Sequence, residues 1–350
     1  MNASALTLND LGWDEGFAAS FEPYEKDGLV PARIAAQYRG AYVVLAETGE
    51  SRADISGRMR HEAASAADLP AVGDWVVLRD ETIHAVLPRR SAFSRKAAWA
   101  PTEEQVLAAN LDAIFVLSAL NGDLNLRRLE RYLTLAWESG ATPVIVLTKA
   151  DLCDDVGAAL LEVEQVALGV AAHAISNVSG AGIDELAPYL ALARTVALLG
   201  SSGVGKSTLA NRLAGEVLQA THEIAEDGRG RHTTSSRQLI RLPGGAMLVD
   251  TPGLREVQLW DADEGIAEAF ADVDALAAGC RFNDCAHMRE PGCAVQAAIG
   301  EGRLVGERLQ SYRQLQRELE RLALKQDARL RSDARKQRAA FARSLRKASW

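Results

Sequence analysis

From residue 29 to residue 95 the chain alternates short apolar runs with turns: LVPARIAAQ, AYVVLA, RADISG, VGDWVVLRD and TIHAVLPR. Turn signals recur about every ten residues, the pattern of a small all-β barrel or sandwich. Basic residues are interleaved with it: Arg33, Arg39, Arg58, Arg60, Arg89, Arg90, Arg95 and Lys96. Beyond Pro101 the pattern changes. AIFVLSA, PVIVLTK, AAHAIS, TVALLG, QLIRLP and AMLVD read as buried strands, and helical patterns at 126–139 and 183–193 lie between several of them. That alternation predicts a parallel α/β sheet. From residue 303, RLVGERLQSYRQLQRELERLALKQ sets Leu304, Tyr312, Leu315, Leu319 and Leu322 near helical spacing. It reads as an amphipathic helix that becomes almost purely polar and basic towards its end. The chain shows no internal repeat. Three regions follow: 1–104, an all-β barrel with an N-terminal extension; 105–260, an α/β domain; and 261–350, a helical domain with a basic C-terminal helix.

The length of 350 residues, with 48% hydrophobic and 25% charged residues, suits two or three domains with real cores. The first twenty residues contain no Lys or Arg and no continuous apolar run, which argues against a secretory signal. Nothing approaches the roughly 18 apolar residues of a membrane span. A soluble, cytoplasmic, monomeric protein is expected. The net charge of −8 is unevenly spread: residues 303–350 carry 14 Lys/Arg against 5 Asp/Glu, and the rest carries 25 against 42. A basic tail on an acidic body suggests a polyanionic partner for the tail.

Gly200-Ser201-Ser202-Gly203-Val204-Gly205-Lys206-Ser207 fits G-x-x-x-x-G-K-[ST] at every fixed position, after a strand and, with Thr208, opening a helix. Such a loop wraps phosphates with backbone N–H groups. Lys206 would reach the β- and γ-phosphates, and Ser207 would bind Mg²⁺. Asp250-Thr-Pro-Gly253 follows a strand fifty residues on; its carboxylate can hold Mg²⁺ and Gly253 offers an N–H to the γ-phosphate. Between them EDGRGRHTTSSRQL (226–239) suits a switch segment, in which Thr234, or less favourably Thr233, would complete the Mg²⁺ shell.

Thr148-Lys149-Ala150-Asp151 ends the strand PVIVL. The Asp151 carboxylate matches the N1–H and N2–H₂ donors of guanine, neither of which adenine presents. The Lys149 stem can cover the base, and Ser176 lies where a second loop would reach guanine O6 through a backbone N–H. The order is base loop, second base loop, phosphate loop, switch, metal Asp: the GTPase set cyclically rotated, which one sheet accommodates if the chain is cut elsewhere.

With PAVGDWV (70–76), AANLD (108–112), LNLRRLERYL (124–133), GSSGVGKST, GRGRHTT and DTPGLRE, the chain resembles the circularly permuted, ribosome small-subunit-dependent GTPases called RsgA over nearly its whole length. The resemblance implies an N-terminal OB-fold, a permuted P-loop GTPase domain and a C-terminal zinc domain. It also implies GTP hydrolysis to GDP, and the small (30S) ribosomal subunit and its rRNA as partner during late assembly. One departure stands out: the base motif usually begins with Asn, which contacts guanine N7 and braces the phosphate loop, and here it begins with Thr148. Asp151 is expected to keep the guanine preference; the change at 148 bears on affinity.

Cys280-x₄-Cys285-x-His287-x₅-Cys293 supplies three thiolates and an imidazole, a closed tetrahedral set for one structural Zn²⁺. The family's zinc module uses the matching residues. Cys153 has no assigned role. Leu254 follows Gly253, where many GTPases carry a water-orienting Gln, so intrinsic hydrolysis is expected to be slow and partner-stimulated, with His232 the candidate for that role. The competing readings are an RNA-binding zinc protein with a regulatory, weakly catalytic nucleotide site, and a P-loop ATPase.

Overall fold

The computed structural model describes residues 6–25, 28–38, 41–96, 104–122, 124–215, 237–250, 263–321 and 323. Its first unit is a closed barrel of β1 (Val30–Gln37), β2 (Tyr42–Ala46), β3 (Gly49–Ile55), β4 (Trp75–Arg79) and β5 (Thr82–Val86). The strands run in the order β1-β2-β3-β5-β4 and close where β4 pairs back onto β1, from Val30 opposite Leu78 to Arg33 opposite Trp75. Alternation explains the inward set: Tyr42, Val44 and Ala46 are buried, with half-buried residues between them. An N-terminal helix, α1 (Glu15–Glu25), covers the barrel by setting Phe17 stacked and Phe21 edge-on against Trp13, whose ring meets the fully buried Trp75 edge-on at 4.7 Å. The GDW of the sequence places Asp74 in the barrel wall, where Arg89 grips it with two bonds of 2.8 and 2.7 Å. A short helix, α2 (Gly57–Glu62), separates β3 from β4.

A ribbon of β6 (Ala92–Lys96) and β7 (Glu104–Ala109) spans position 104/105 and leads into the α/β unit. Here β8 (Ala113–Ala119), β9 (Thr142–Thr148), β10 (Ala172–Ala174), β11 (Thr195–Gly200), β12 (Arg237–Arg241) and β13 (Met247–Asp250) lie in the order β10-β9-β8-β11-β13-β12, all parallel except β12. All seven residues of β8 are buried, as a strand covered on both faces requires. Helices α3 (Leu126–Glu138), α4 (Val156–Glu164) and α5 (Lys206–Ala214) connect them. The pattern at 183–193 resolves as a 3₁₀ helix, Ile183–Leu190, with Pro188 inside it. Proline has no N–H to give an α-helical bond and its ring crowds the preceding turn, so the tighter helix wins.

The two sheets are one. The last residues of β1 pair with β12, Ala36 opposite Gln238 and Gln37 opposite Arg237, beyond a bulge at Ile34/Ala36 that lets one strand serve both units. Arg33 pins the junction. Almost wholly buried, its guanidinium donates to Gly73 O (3.2 Å), Asn110 O (3.3 Å), Thr195 Oγ1 (2.9 Å) and Leu11 O. Burial draws its pKa down to about 10.

The C-terminal unit comprises α6 (Asp263–Ala269), α7 (Ala271–Ala277), α8 (Ala294–Gly300) and α9 (306–321). It packs on α3. Gly265 is needed there, because a Cβ would lie 2.2 Å from the Thr134 carbonyl oxygen. Over the described residues the amphipathic reading from residue 303 holds: Leu304, Tyr312 and Leu315 are buried, with Leu309 beside them, and Leu319 is partly buried, while Leu322 lies outside the described residues. Its basic face is not all solvated, however. Arg308 is 4% exposed and lies between two carboxylates, 2.9 Å from Glu130 of α3 and 2.6 Å from Asp272 of α7. It also donates to Val166 O (2.9 Å) and Ala269 O (2.8 Å). On the rim, Arg131 holds Glu318 through bonds of 2.9 and 2.7 Å. Residues 324–350, the rest of the basic tail, lie outside the described residues.

Arg308→Met is expected to destabilise the chain by about 3–5 kcal/mol, because it leaves the buried Glu130 and the half-buried Asp272 without a counter-charge. Urea unfolding followed by tryptophan fluorescence measures this, and a loss below about 1 kcal/mol would contradict it.

Candidate functional site

The loops predicted to form a nucleotide site meet at one edge of the sheet, beyond the C-terminal ends of the parallel strands, where open α/β sheets bind ligands. Gly200 ends β11 between β8 and β13, the loop 201–205 follows, and α5 begins at Lys206. Gly205 has φ 98°, a conformation that only glycine adopts without strain, and it turns the chain into α5. The Lys206 ammonium lies 2.5 Å from both Gly200 O and Ser201 O, at the mouth of the loop. Ser207 and Thr208 are exposed in the first turn of α5, and Asp250 is exposed at the end of the adjacent strand β13.

Thr148 ends β9 fully buried, and its hydroxyl donates to the Val204 carbonyl of the phosphate loop at 2.6 Å. The base motif thus touches the phosphate loop directly. Lys149 then takes a left-handed φ of 60° and turns the chain into a 3₁₀ helix over Ala150–Leu152 that presents Asp151 to solvent. The second loop joins this carboxylate: Ser176, buried after β10, donates its hydroxyl to Asp151 Oδ1 at 2.5 Å and accepts from the N–H groups of Val178 (3.3 Å) and Ser179 (3.1 Å). The backbone N–H of Ser176 itself donates to Ala181 O at 2.9 Å, so within this geometry Ser176 acts on Asp151 through its hydroxyl. The sequence reading missed that contact and missed Asn177, whose amide reaches Gly205 O at 3.3 Å. No local signal announces either; both are contacts between loops distant in sequence. His232, Thr233, Thr234, Gly253 and Leu254 lie outside the described residues.

The second cluster lies in the C-terminal unit. One ligand atom from each of Cys280, Cys285, His287 and Cys293 falls within 4.8 Å of the others. Cys280 Sγ and Cys293 Sγ are 3.9 Å apart and each is 3.5 Å from His287 Nδ1. Tetrahedral bonds of ordinary zinc length would set sulfur–sulfur and sulfur–nitrogen edges of roughly 3.8 and 3.5 Å. The donor set therefore fits a single metal ion. Burial, with Arg313 nearby, holds the His287 imidazole below its ordinary pKa and so in the neutral, ligating form. His287 has a left-handed φ of 56°, and the chain around it is fastened: Glu290 accepts from the N–H groups of Met288 (2.6 Å) and Arg289 (3.0 Å), while Gln296 (2.5 Å) and Arg313 donate to His287 O. Arg313 belongs to α9, so the helix that docks on α3 also braces the metal loop.

A family model described as RsgA GTPase matches residues 86–260. A model described as ABC transporter matches residues 184–349, a stretch that contains the phosphate loop common to both. The chain is 50% identical over 329 residues to the small ribosomal subunit biogenesis GTPase RsgA of Opitutus terrae, covering 89% of this chain and 90% of that protein. It is 46% identical over 343 residues to the protein of the same name from Streptomyces avermitilis, covering 96% and 92%. Among solved structures, YjeQ from Thermotoga maritima is similar with a TM-score of 0.63 and 25% identity, over 83% of this chain and 98% of that one. YloQ, described as a circularly permuted GTPase, is similar in fold with a TM-score of 0.60 and 24% identity, over 83% and 95%. The rotated order of the nucleotide loops is thus the order of a known permuted fold. No helix among the described residues is long and apolar enough to cross a membrane.

Elemental analysis of chain purified without chelator is expected to find one metal ion per molecule, and Cys285→Ser to retain well under half of it. Full occupancy in the variant would remove Cys285 from the ligand set.

Proposed function

We propose that this chain, which belongs to the RsgA GTPase family and is a GTP hydrolase, works on the small ribosomal subunit during the late assembly of that particle. The convergence of the phosphate loop and the base motif on one sheet edge, in rotated order, carries the nucleotide half of this reading. The names of its relatives, small ribosomal subunit biogenesis GTPases at 50% and 46% identity over most of the chain, support the particle half.

Residues 200–208 hold the phosphates, with N–H groups of the loop and of the first turn of α5 directed at them. Lys206 places its charge where negative charge grows on the transferring phosphoryl group. Ser207, Asp250 and Thr234 are the oxygen donors suited to Mg²⁺, which would neutralise charge between the β- and γ-phosphates. Asp151 reads the guanine edge, held in place by the Ser176 hydroxyl, and the Lys149 stem covers the base. Gly253 meets the γ-phosphate, and His232 orients the attacking water in the role that Leu254 cannot fill. Completion of that arrangement falls to the bound particle, which makes hydrolysis conditional on arrival at the target.

The barrel order β1-β2-β3-β5-β4-β1, with a helix between β3 and β4, supports an OB-fold RNA-binding domain over 1–104. The permuted GTPase domain spans 105–260 and the zinc domain 261–350, with Zn²⁺ in the Cys₃His set as a structural ion. Residues 324–350 carry nine Lys/Arg and two Asp/Glu, a charge suited to rRNA phosphates. The protein is a cytoplasmic monomer on this reading.

GTP is expected to bind in preference to ATP, and Asp151→Asn to lower that preference about tenfold or more, by competition binding. Equal affinity for the two nucleotides in the unmodified chain would sink the base-loop assignment. Small subunits are expected to raise GTP turnover at least tenfold at low salt and less as salt rises; turnover indifferent to subunits would overturn the particle half. Deleting 324–350, which spares α9, is expected to cut that stimulation and leave intrinsic turnover intact.

A further inference from the structure

A phosphate loop rich in glycine has few side chains with which to hold its own shape. Its carbonyls must therefore be pinned from outside. The base motif of GTPases usually begins with an Asn that braces the loop, while here Thr148 stands at that position. The Thr148 hydroxyl has a single hydrogen, directed to Val204 O at 2.6 Å with Ser118 O at 3.4 Å beside it. It has no second donor.

The next carbonyl of the loop, Gly205 O, is met from the other base loop. Asn177 Nδ2 donates to it at 3.3 Å, alongside the first helical bond of α5 from Leu209 N at 2.9 Å. The two side chains close on the same glycine: a Cβ built on Gly205 would lie 3.2 Å from Asn177 Nδ2 and 3.8 Å from Thr148 Oγ1. Asn177 is itself fixed, its backbone carbonyl accepting from Arg212 of α5 at 2.7 Å. Turning the amide over would set two oxygens against each other, so the N–H faces the loop. Its oxygen, Asn177 Oδ1, is then left buried with no partner among the described residues. Ala or Ser at 177 would carry no such orphan. A buried acceptor left unsatisfied calls for a reason, and here the reason is the N–H on the other arm of the same amide.

We propose that Asn177 is a positioning residue for the phosphate loop, sharing with Thr148 the bracing that a single asparagine gives elsewhere. The proposal rests on residues 200–208 being the phosphate loop. Peptide planarity supplies the mechanism. A trans peptide points its C=O and the following N–H in opposite directions. Pinning Val204 O and Gly205 O outward therefore aims the N–H groups of Gly205 and Lys206 into the loop, where phosphate oxygens sit. Because Ser176, the preceding residue, holds Asp151, one short segment orients both the base reader and the phosphate cradle.

The test is nucleotide affinity by isothermal titration of the full chain with GDP, a non-hydrolysable GTP analogue and the matching ATP analogue. Asn177→Ala is expected to weaken both guanine nucleotides about tenfold, as loss of one buried donor does, without changing the guanine-over-adenine ratio. Asn177→Asp keeps the shape, loses the donor, and is expected to weaken binding at least as much. Thr148→Asn placed on Asn177→Ala is expected to restore affinity to within about threefold of the parent, which a merely structural role for Asn177 would not allow. Undiminished affinity in both single variants overturns the proposal, as does failure of Thr148→Asn to rescue. A poorly folding Asn177→Ala leaves the decision to Asn177→Asp and the double variant. A parent chain that bound no guanine nucleotide would overturn the phosphate-loop reading as well.

Discussion

The parallel pairing of β11 with β8, running from Val196 opposite Ala113 to Gly200 opposite Leu117, is the constraint on which the rest of the molecule hangs. It places the strand that feeds the phosphate loop against a strand that precedes it in the chain by some eighty residues. Once that register is set, the loops after β9, β10, β11 and β13 must open on the same edge, because parallel strands end together. Chain order then has no bearing on the site, which needs only those strand ends side by side. The apolar faces on either side of β8 and β11 make the register costly to shift, since a slip would turn buried Val, Leu and Phe side chains to the wrong layer.

Around this centre the outer units attach by different physics. The barrel is joined by backbone: β1 adds to the sheet through β12, and Arg33 seals the seam. The C-terminal unit is joined by side chains on one helix. Glu130, Arg131 and Glu138 of α3 reach, respectively, Arg308, Glu318 and the Gly265 N–H. Since α3 also packs against β8 and β9, it mechanically links the strand that ends in the base motif to the unit that carries the Cys/His cluster.

Much of this was legible from the sequence. The phosphate loop, the base motif and the Cys/His set each demand particular residue types at fixed spacing, and the structure gathers them. The barrel strands were legible because half-buried strands alternate. What stayed hidden were partnerships across long separations. Arg308 looks like one more cation in a basic helix, and only tertiary packing puts it between Glu130 and Asp272. Asn177 and the Ser176 hydroxyl look like ordinary loop polarity until the loops of β9 and β11 are brought beside them. The 3₁₀ helix at Ile183–Leu190 differs in kind, since Pro188 announced it and apolar periodicity outweighed the proline in the reading.

The seam between β1 and β12 has a consequence for how the protein is made. Ala36 waits for Gln238, a partner roughly two hundred residues downstream. At bacterial-scale elongation of about 5–20 residues per second, that is on the order of ten to forty seconds. The barrel can close on itself as soon as β5 has emerged, but the far end of β1 stays an unpaired edge throughout. Within that interval the base motif, complete at Asp151, stands without a phosphate loop until Thr208 has been made. The nascent chain therefore cannot present both motifs together until about three fifths of it has left the ribosome that is synthesising it.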